Sequence, residues 1–421
     1  MATYDLALGA RRIAFPMRAG VEWEVLEPVP VKGAGSPSVE GVLERVLADP
    51  PKPGARVAIV VPDYTRPAPV GDAIPLLARA LEKRGVPVAR QTVIVASGTH
   101  AAPALDELRR AWGLPDALTL AANDARAPGV KRGVTRAGTP VELDERYASA
   151  DWRVTLGGVS FHYFAGFGGG PKMVFPGVAS RDGAAANHKL SLGPLPPGGL
   201  HPACGPGVIE GNPVAEDIAE AAALDPPQAA IHVVPEARGW TYEAGDDGQA
   251  RAREVVRARG AVGEAGAYDV VVASAGGSPR DGDVVQAQKA LAHAARYARP
   301  GGTVILLAET ASGLGSATLD RWLSIEDGDE LERQARSAYD LNAQTAVSFR
   351  SLARRHRVFW VGSKSPRWIR LGGAEAIDAG PGIERALDGA RGRGALLPIA
   401  TAVVPRASLD DGRGPEGRPR T

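Results

Sequence analysis

The chain has 421 residues, more than the ~100–200 of a usual domain, so its length favours two domains. Its 49 basic and 48 acidic residues leave a net charge of +1, which disfavours a nucleic-acid-binding protein and favours a small-molecule partner. No apolar run approaches the ~20 residues of a membrane-spanning helix, and the N-terminus lacks the apolar stretch of a signal peptide. A single cysteine, Cys204, excludes an intrachain disulfide. We therefore expect a soluble, cytoplasmic protein.

The first part of the chain alternates short runs of β-branched residues with helical patterns. The expected strands are residues 57–61, 92–96, 154–156 and 231–234, and the helical patterns include residues 73–83 and 104–112. This alternation is typical of an α/β domain with a largely parallel sheet. Residues 157–213 are dense in glycine, proline and histidine, with one short helix expected near residues 181–190. Long irregular segments inside domains are often functional.

A second α/β unit is predicted further along the chain. It contains strands at 268–274, 303–308 and 358–361, helices at 284–297 and 330–349, and a short helix beginning at 373–378. The sequence thus predicts two α/β domains with largely parallel sheets and an active-site cleft between them. We expect an N-terminal domain over residues 1–265, a C-terminal Rossmann-like domain over 266–409 and a disordered tail over 410–421.

Several chemically active side chains follow predicted strands or lie in the irregular segment. Asp63 and Arg66 follow one strand and His100 the next, at the strand ends where ligands gather in open α/β sheets. His162 and His188 lie in the irregular segment. Each histidine alone is better explained as a hydrogen-bonded structural residue. Their joint position favours a functional site.

The densest signal is the glycine-rich stretch before Lys172. Gly168, Gly169 and Gly170 allow the backbone to approach a ligand closely. Pro171 and Met173 do not fit the Gly-Lys-Ser/Thr ending of a phosphate-binding loop, and no dinucleotide fingerprint occurs. The apolar residues after Lys172 would lower its pKa if it were buried, which suits a nucleophile or covalent anchor. The alternative is a lysine on a mobile loop.

In the second unit, Gln286 and Lys289 are three residues apart and share one face of the predicted helix. An amide and a cation at the rim of a cleft suit a carboxylate. A solvated helix face is the alternative.

A series of ordered motifs extends over nearly the whole chain. They are DYTRP at 63–67, SGTH at 97–100, HYFAGFGGGPK at 162–172, FPG at 175–177, NH at 187–188, EGNP at 210–213 and QAQK at 286–289. The series resembles the nickel-pincer (LarA-type) lactate racemases and their 2-hydroxyacid racemase and epimerase relatives. The resemblance implies two α/β domains and a nickel-pincer nucleotide, a nickel pyridinium-3,5-bisthiocarboxylic acid mononucleotide. It also implies cofactor-synthesis proteins as partners.

The resemblance also implies a role for each matched residue. Lys172 would form the thioamide tether, His188 would bind nickel, and His100 and His162 would be the acid–base pair. Arg66, Gln286 and Lys289 would orient the substrate carboxylate, while Asp63, Thr65, Gly168, Gly169 and Gly170 would hold the cofactor. The implied reaction inverts C2 of a 2-hydroxy acid: a histidine removes the hydroxyl proton, hydride moves to the cofactor, and the resulting 2-keto acid rotates before hydride returns.

Two positions depart from the family pattern. Gly168 stands where many members have serine, and Val285 stands where lactate-specific members tend to have a tyrosine-like residue. These departures favour a longer or bulkier 2-hydroxy acid, or an aldonic acid. One alternative function is a zinc hydrolase using His100, His162 and His188 with a carboxylate, although no H-E-x-x-H pattern occurs. A two-domain small-molecule binding protein is the other.

Overall fold

The computed structural model describes residues 2–31, 38–63, 68–100, 103–236 and 239–408. Thr65, Arg66 and the expected tail at 410–421 lie outside these residues. The strands are β1 (Thr3–Leu8), β2 (Arg11–Pro16), β3 (Val21–Val25), β4 (Val57–Pro62), β5 (Gln91–Ala96), β6 (Thr119–Ala122), β7 (Val130–Val134), β8 (Pro140–Leu143), β9 (Trp152–Gly158), β10 (Phe161–His162), β11 (Gly166–Phe167), β12 (Ala229–Pro235), β13 (Trp240–Ala244), β14 (Tyr268–Ser274), β15 (Ala298–Leu307), β16 (Arg357–Val361), β17 (Glu375–Ile377) and β18 (Gly392–Leu397).

The helices follow the same chain order. They are α1 (Val39–Val46), α2 (Val70–Glu82), α3 (Leu105–Ala111), α4 (Glu145–Ala148), α5 (Arg181–Lys189), α6 (Pro213–Ala223), α7 (Gly245–Gly260), α8 (Val284–Ala294), α9 (Ala317–Leu323), α10 (Gly328–Ser337), α11 (Ala343–Arg355), α12 (Pro366–Leu371) and α13 (Pro381–Ala386). None of these described helices is long and apolar enough to cross a membrane.

The first six-stranded sheet has the order β13-β12-β9-β4-β5-β6. Its strands are parallel except β13, which pairs antiparallel with β12. All six residues of the central strand β4 are buried, as expected for a parallel strand covered on both faces. The strands expected at 57–61, 92–96, 154–156 and 231–234 are confirmed as parts of β4, β5, β9 and β12.

The second six-stranded sheet has the order β17-β16-β15-β14-β18-β3 and is parallel throughout. Side chains of α8, α9, α10 and α11 form a core on one face. The hairpin of β1 and β2 packs on the other face, through Leu6, Leu8 and Phe15. From β14 the chain proceeds through β15 and β16 to β17 in one direction, whereas β18 lies on the opposite side of β14. The sheet therefore has a topological switch point between β14 and β18.

The N-terminal residues differ from the expected domain organisation. The expected N-terminal domain includes residues 2–26, but β3 pairs with β18 of the second sheet, and the β1–β2 hairpin covers that sheet. A boundary near residue 265 for the remaining chain stays a prediction.

Two helix predictions for the second unit are wrong. The single helix predicted over 330–349 is two helices, α10 and α11, separated at Asn342, whose φ is +67°. Asp340, between them, forms an ion pair with Arg181 of α5, so a tertiary contact stabilises the break. The short helix predicted from residue 373 is instead strand β17, because Ile377 is buried beside Val361 in the parallel sheet.

Candidate active site

Asp63 and His100 lie together at the carboxyl ends of two neighbouring parallel strands. Asp63 directly follows β4, and His100 ends the turn after β5. His100 Nδ1 donates to Asp63 Oδ2 over 2.7 Å, and the Asp63 residue is only 4% exposed. The carboxylate fixes the ring tautomer with a proton on Nδ1, so Nε2 is the nitrogen available for acid–base chemistry.

His162 lies in β10 and is buried in different surroundings. Its Nδ1 accepts a hydrogen bond of 3.2 Å from the Ala165 backbone N–H, which places the proton of the neutral ring on Nε2. The ring stacks on Tyr163 with centroids 5.4 Å apart and meets Phe164 edge-on at 4.7 Å. The two expected acid–base histidines thus have different partners, a carboxylate for one and a backbone N–H with aromatic rings for the other.

Phe164 is a central contact of the site that sequence reasoning did not single out. Its ring centroid is 5.1 Å from that of His188 and 5.8 Å from Lys172 Nζ, in addition to the contact with His162. Phe164 therefore brings the expected metal ligand, tether and base around one aromatic ring. The only sequence signal was its place inside the HYF triplet.

His188 lies near the end of α5, one turn after the residue that orients it. Its Nδ1 donates to the Ala184 carbonyl over 2.5 Å, and its Nε2 makes no hydrogen bond within the described residues. Burial and then the Lys172 charge lower the pKa of His188 to about 3, and the charges of His100 and Lys289 contribute in the same direction. The ring is thus neutral near pH 7, which is the form that binds metal ions.

Lys172 is held on a 3₁₀ turn over Gly170–Met173, entered through two glycines in the left-handed region. Gly169 has φ +70° and Gly170 has φ +55°. A Cβ at Gly169 would lie 2.9 Å from Gly158 O, and one at Gly170 would overlap the Gln249 side chain. Both positions therefore require glycine.

Gly168 has different steric surroundings. A Cβ there would meet its nearest atom, Gly158 O, at 3.4 Å, which is an ordinary contact. The backbone consequently has room for a serine at this position.

The α8 residues face the same site from the second sheet. Lys289 Nζ donates to Gln286 Oε1 over 2.5 Å, and both side chains are half-buried. The Lys289 charge helps lower the pKa of His188. Asp283 caps α8 by accepting from Gln286 N at 2.8 Å. Burial raises its pKa overall, and this hydrogen bond and the charges of Lys289 and His100 offset part of the rise.

These electrostatic couplings link α8 to the strand ends of the first sheet. The structure therefore brings His100, Lys172, His188 and Lys289 into one region. Sequence reasoning missed Asp283, although an aspartate immediately before an apolar helical run is a helix-cap signal.

No group of three or more His, Cys, Asp or Glu side chains in the described part of the chain is arranged to hold a metal ion. The zinc-hydrolase alternative requires such a group. His201 and Cys204 are occupied elsewhere: His201 Nδ1 accepts from Ala203 N over 3.2 Å, and the buried Cys204 Sγ contacts Asn212 Oδ1 at 3.4 Å.

Family models match both parts of the chain. The lactate racemase N-terminal domain matches residues 9–195, and the lactate racemase C-terminal domain matches residues 264–348. Together they cover well over half of the sequence. The chain belongs to the lactate racemase family.

Two relatives of this family member match over most of its length. A lactate racemase from Thermoanaerobacterium thermosaccharolyticum is 26% identical over 343 residues, which are 76% of this chain and 78% of the relative. A lactate racemase from Lactiplantibacillus plantarum is 27% identical over 318 residues, which are 72% and 73% of the two chains.

Solved structures show the same fold. The lactate racemase apoprotein from T. thermosaccharolyticum superposes with a TM-score of 0.79 at 22% identity, covering 96% of this chain and 100% of the other. A protein from Thermotoga maritima superposes with a TM-score of 0.63 at 17% identity, covering 83% and 94%. The expected α/β fold class is confirmed.

Proposed function

We propose that this family member is a racemase or epimerase that inverts C2 of a 2-hydroxy acid. In this proposal hydride is transferred transiently to a nickel-pincer nucleotide tethered to Lys172. The observation that carries it is the convergence of His100, His162, Lys172 and His188 around Phe164 and the ends of β4 and β5. Two-domain binding proteins need no such set of proton-transferring groups.

The residues present fit such a cofactor. His188 offers one neutral imidazole nitrogen, Nε2, while its Nδ1 is held by Ala184 O. A single protein ligand suffices where the cofactor itself supplies the other donors, and imidazole suits nickel. Lys172 provides the amine for a covalent tether. The chemistry the group supplies when bound is a hydride acceptor at its pyridinium ring.

The chain's own residues would handle the proton and hold the substrate. His100 accepts the hydroxyl proton at Nε2, and Asp63 stabilises the resulting imidazolium through Nδ1. His162 is proposed as the base for the opposite enantiomer. Because the hydrogen bond from Ala165 N leaves the proton of the neutral ring on Nε2, the ring must release that bond and carry its proton on Nδ1 before Nε2 can accept the hydroxyl proton. Lys289 and Gln286 orient the substrate carboxylate, joined in this proposal by Arg66. Asp63, Thr65 and the loop Gly168, Gly169 and Gly170 support the cofactor.

The substrate is proposed to be longer or bulkier than lactate. Val285, directly before Gln286, is a smaller side chain than the tyrosine-like residue of lactate-specific members, and Gly168 adds none of the bulk of a serine. Cofactor-synthesis proteins would be its partners, and the cytoplasm its compartment.

A C2-deuterated 2-hydroxy acid tests the reaction. Protein produced together with cofactor-synthesis proteins should racemise it more slowly than the protiated acid, and the product should retain deuterium. His100→Ala and His162→Ala should each lose roughly 10²–10⁴ in rate. His356→Gln, a histidine between α11 and β16, is the control and should be unaffected. Solvent hydrogen at C2 of the product would contradict the proposal.

A further inference from the structure

Arg280 lies where the second sheet changes direction. It belongs to the loop between β14 and α8, three residues before Asp283, the cap of α8. A Cβ built on Gly276 of the same loop would lie 3.1 Å from Arg280 Cδ, 3.6 Å from Arg280 Nη1 and 3.4 Å from Ile399 Cγ2. Ile399 follows β18, so the Arg280 side chain lies between the loops after β14 and β18. Ligands of open α/β sheets bind in the crevice at such a switch point.

Arg280 has no counterion among the residues that the structure describes. It makes no hydrogen bond or ion pair within the described parts of the chain, although its side chain is half-buried. Burial is the sole cause that lowers the pKa of its guanidinium. The acidic neighbours in sequence and along the sheet edge are engaged elsewhere: Asp281 accepts from Gly9 N at 2.6 Å and Glu309 N at 3.2 Å, while Glu309 pairs with Lys364 at 3.3 Å.

A half-buried, unpaired guanidinium is costly, since it loses hydration without gaining an acceptor. An anionic ligand would supply that acceptor, and the planar fork of an arginine suits a carboxylate. Arg280 belongs to the loop–helix unit that carries Gln286 and Lys289, whereas the tether and the metal ligand belong to the first part of the chain. The position therefore favours the substrate over the cofactor.

We propose that Arg280 binds a second anionic group of the substrate, a carboxylate at the end distant from C1. This inference rests on the proposed function and specifies its substrate class as dicarboxylic 2-hydroxy acids. Gln286 and Lys289 hold the C1 carboxylate, and Arg280 binds the far one.

Matched ligand pairs test the proposal. The pairs are 2-hydroxysuccinate with 2-hydroxybutyrate, and 2-hydroxyglutarate with 2-hydroxyvalerate, which differ in the distal carboxylate at equal chain length. Calorimetric affinities are measured on the protein alone, and kcat/KM on protein co-produced with cofactor-synthesis proteins. We expect a preference of roughly tenfold or more for each dicarboxylate, as for one hydrogen-bonded charge pair.

Variants locate the preference. Arg280→Gln should abolish the preference by weakening the binding of the dicarboxylates only. The midpoint of thermal unfolding of this variant should not fall, because the guanidinium makes no hydrogen bond or ion pair with the described residues. Arg370→Gln, an exposed arginine on α12, should keep the preference. Inorganic phosphate is a third probe. In the contrary outcome, phosphate competes with an affinity that depends on Arg280 while neither acid pair shows a preference for the dicarboxylate. That result would assign the site to a phosphate and overturn the proposal.

The outcomes separate this inference from the proposed function. Racemisation of monocarboxylates and dicarboxylates with equal kcat/KM would overturn the role of Arg280 and leave the proposed function intact. Arg280-dependent dicarboxylate binding without any racemisation would support the anion site and contradict the proposed function.

Discussion

At the scale of single residues, Lys172 and His188 are close enough for the lysine charge to help lower the pKa of the histidine to about 3. Both contact the Phe164 ring, from different elements. In the proposed function they divide two tasks, since an amine can form a covalent bond that a neutral imidazole nitrogen, used as a metal ligand, does not need. Their replacements should therefore give different defects.

Lys172→Ala protein, co-produced with cofactor-synthesis proteins, should show only its unmodified mass, and Lys172→Arg should do the same because a guanidinium cannot replace the amine. His188→Ala should keep the mass of the adduct but lose nickel by elemental analysis. Lys189→Ala, the exposed neighbour on α5, is the control and should retain both. A covalent adduct on Lys172→Ala, or full nickel content in His188→Ala, would contradict the assignment.

The buried side chain of His293 makes the stability of the folded protein depend on pH. It is 1% exposed, donates from Nδ1 to Val403 O over 3.1 Å, and burial lowers its pKa from 6.5 to about 4. The unfolded chain binds a proton below pH 6.5, whereas the folded protein does so only near pH 4. Stability is therefore fully present above pH 6.5 and is lost as the pH falls towards 4.

His293→Gln should reduce the loss of stability between pH 6.5 and 4 by up to about 3 kcal/mol, at 1.36 kcal/mol for each pKa unit. The free energy of unfolding, measured with urea at several pH values for both proteins, checks this. The variant starts from a lower stability at pH 7 because its side chain packs less well. Parallel pH profiles for the two proteins would show that His293 does not contribute.

At the scale of elements, a buried carboxylate connects α5, α6 and the β7–β8 hairpin. Asp217 of α6 is 3% exposed and accepts hydrogen bonds from Thr135 Oγ1, from Thr139 Oγ1 at 2.8 Å and from Asn187 Nδ2 at 2.8 Å. Asn187 precedes His188 in α5. The network therefore holds the helix that carries the expected metal ligand, and it explains why the NH pair at 187–188 combines a buried amide with a site histidine.

Asp217→Asn should destabilise the protein by about 1–3 kcal/mol, because an amide oxygen cannot replace both carboxylate oxygens and the buried donors lose partners. Nickel content at a fixed metal concentration should fall as well, since α5 loses its anchor beside His188. Glu220→Gln, on the same helix but half-buried and paired with Arg136, should change stability by about 1 kcal/mol at most. Unchanged nickel content in a folded Asp217→Asn protein would limit Asp217 to a structural role.

Local patterns predicted the elements whose burial follows their own sequence. The β-branched run of β4 and the apolar run at the start of β14 are buried strands at the expected places. The helix break before α11 and the strand β17 were not predictable, because an ion pair with distant Arg181 and pairing with β16 decide them. The pairing of β3 with β18 joins residues more than 360 positions apart, and no local pattern indicates it.

The site shows the same division. Strand-end positions indicated Asp63 and His100, and the glycine-rich stretch indicated Lys172. The contacts of Phe164, in contrast, depend on how the irregular segment folds back on itself. The position of Arg280 beside Ile399 likewise follows only from the adjacency of the loops after β14 and β18.

At the scale of the whole molecule, polar contacts join the irregular segment of the first part to the helices of the second. Tyr163 Oη lies 3.3 Å from Thr345 Oγ1, and Arg336 Nε donates to Gly193 O over 2.8 Å. Arg181 forms its ion pair with Asp340 at the break before α11. Because the proposed substrate is held by α8 on one side and by histidines on the other, these contacts determine how well both sides align.

The Arg181–Asp340 pair tests this alignment. Arg181→Ala, Asp340→Ala and the double variant should show a coupling free energy of about 1 kcal/mol in unfolding, as for partly exposed ion pairs. KM for the 2-hydroxy acid should rise several-fold in all three variants, because substrate binding must then also align α8 with the histidines. The retention of deuterium in the product should stay unchanged. The exposed Arg56–Asp151 pair, which connects residues flanking β4 and β9, is the control. Removal of this control pair should alter stability but not KM. An equal rise of KM on removal of either pair would show that general destabilisation, rather than alignment across the cleft, controls substrate binding.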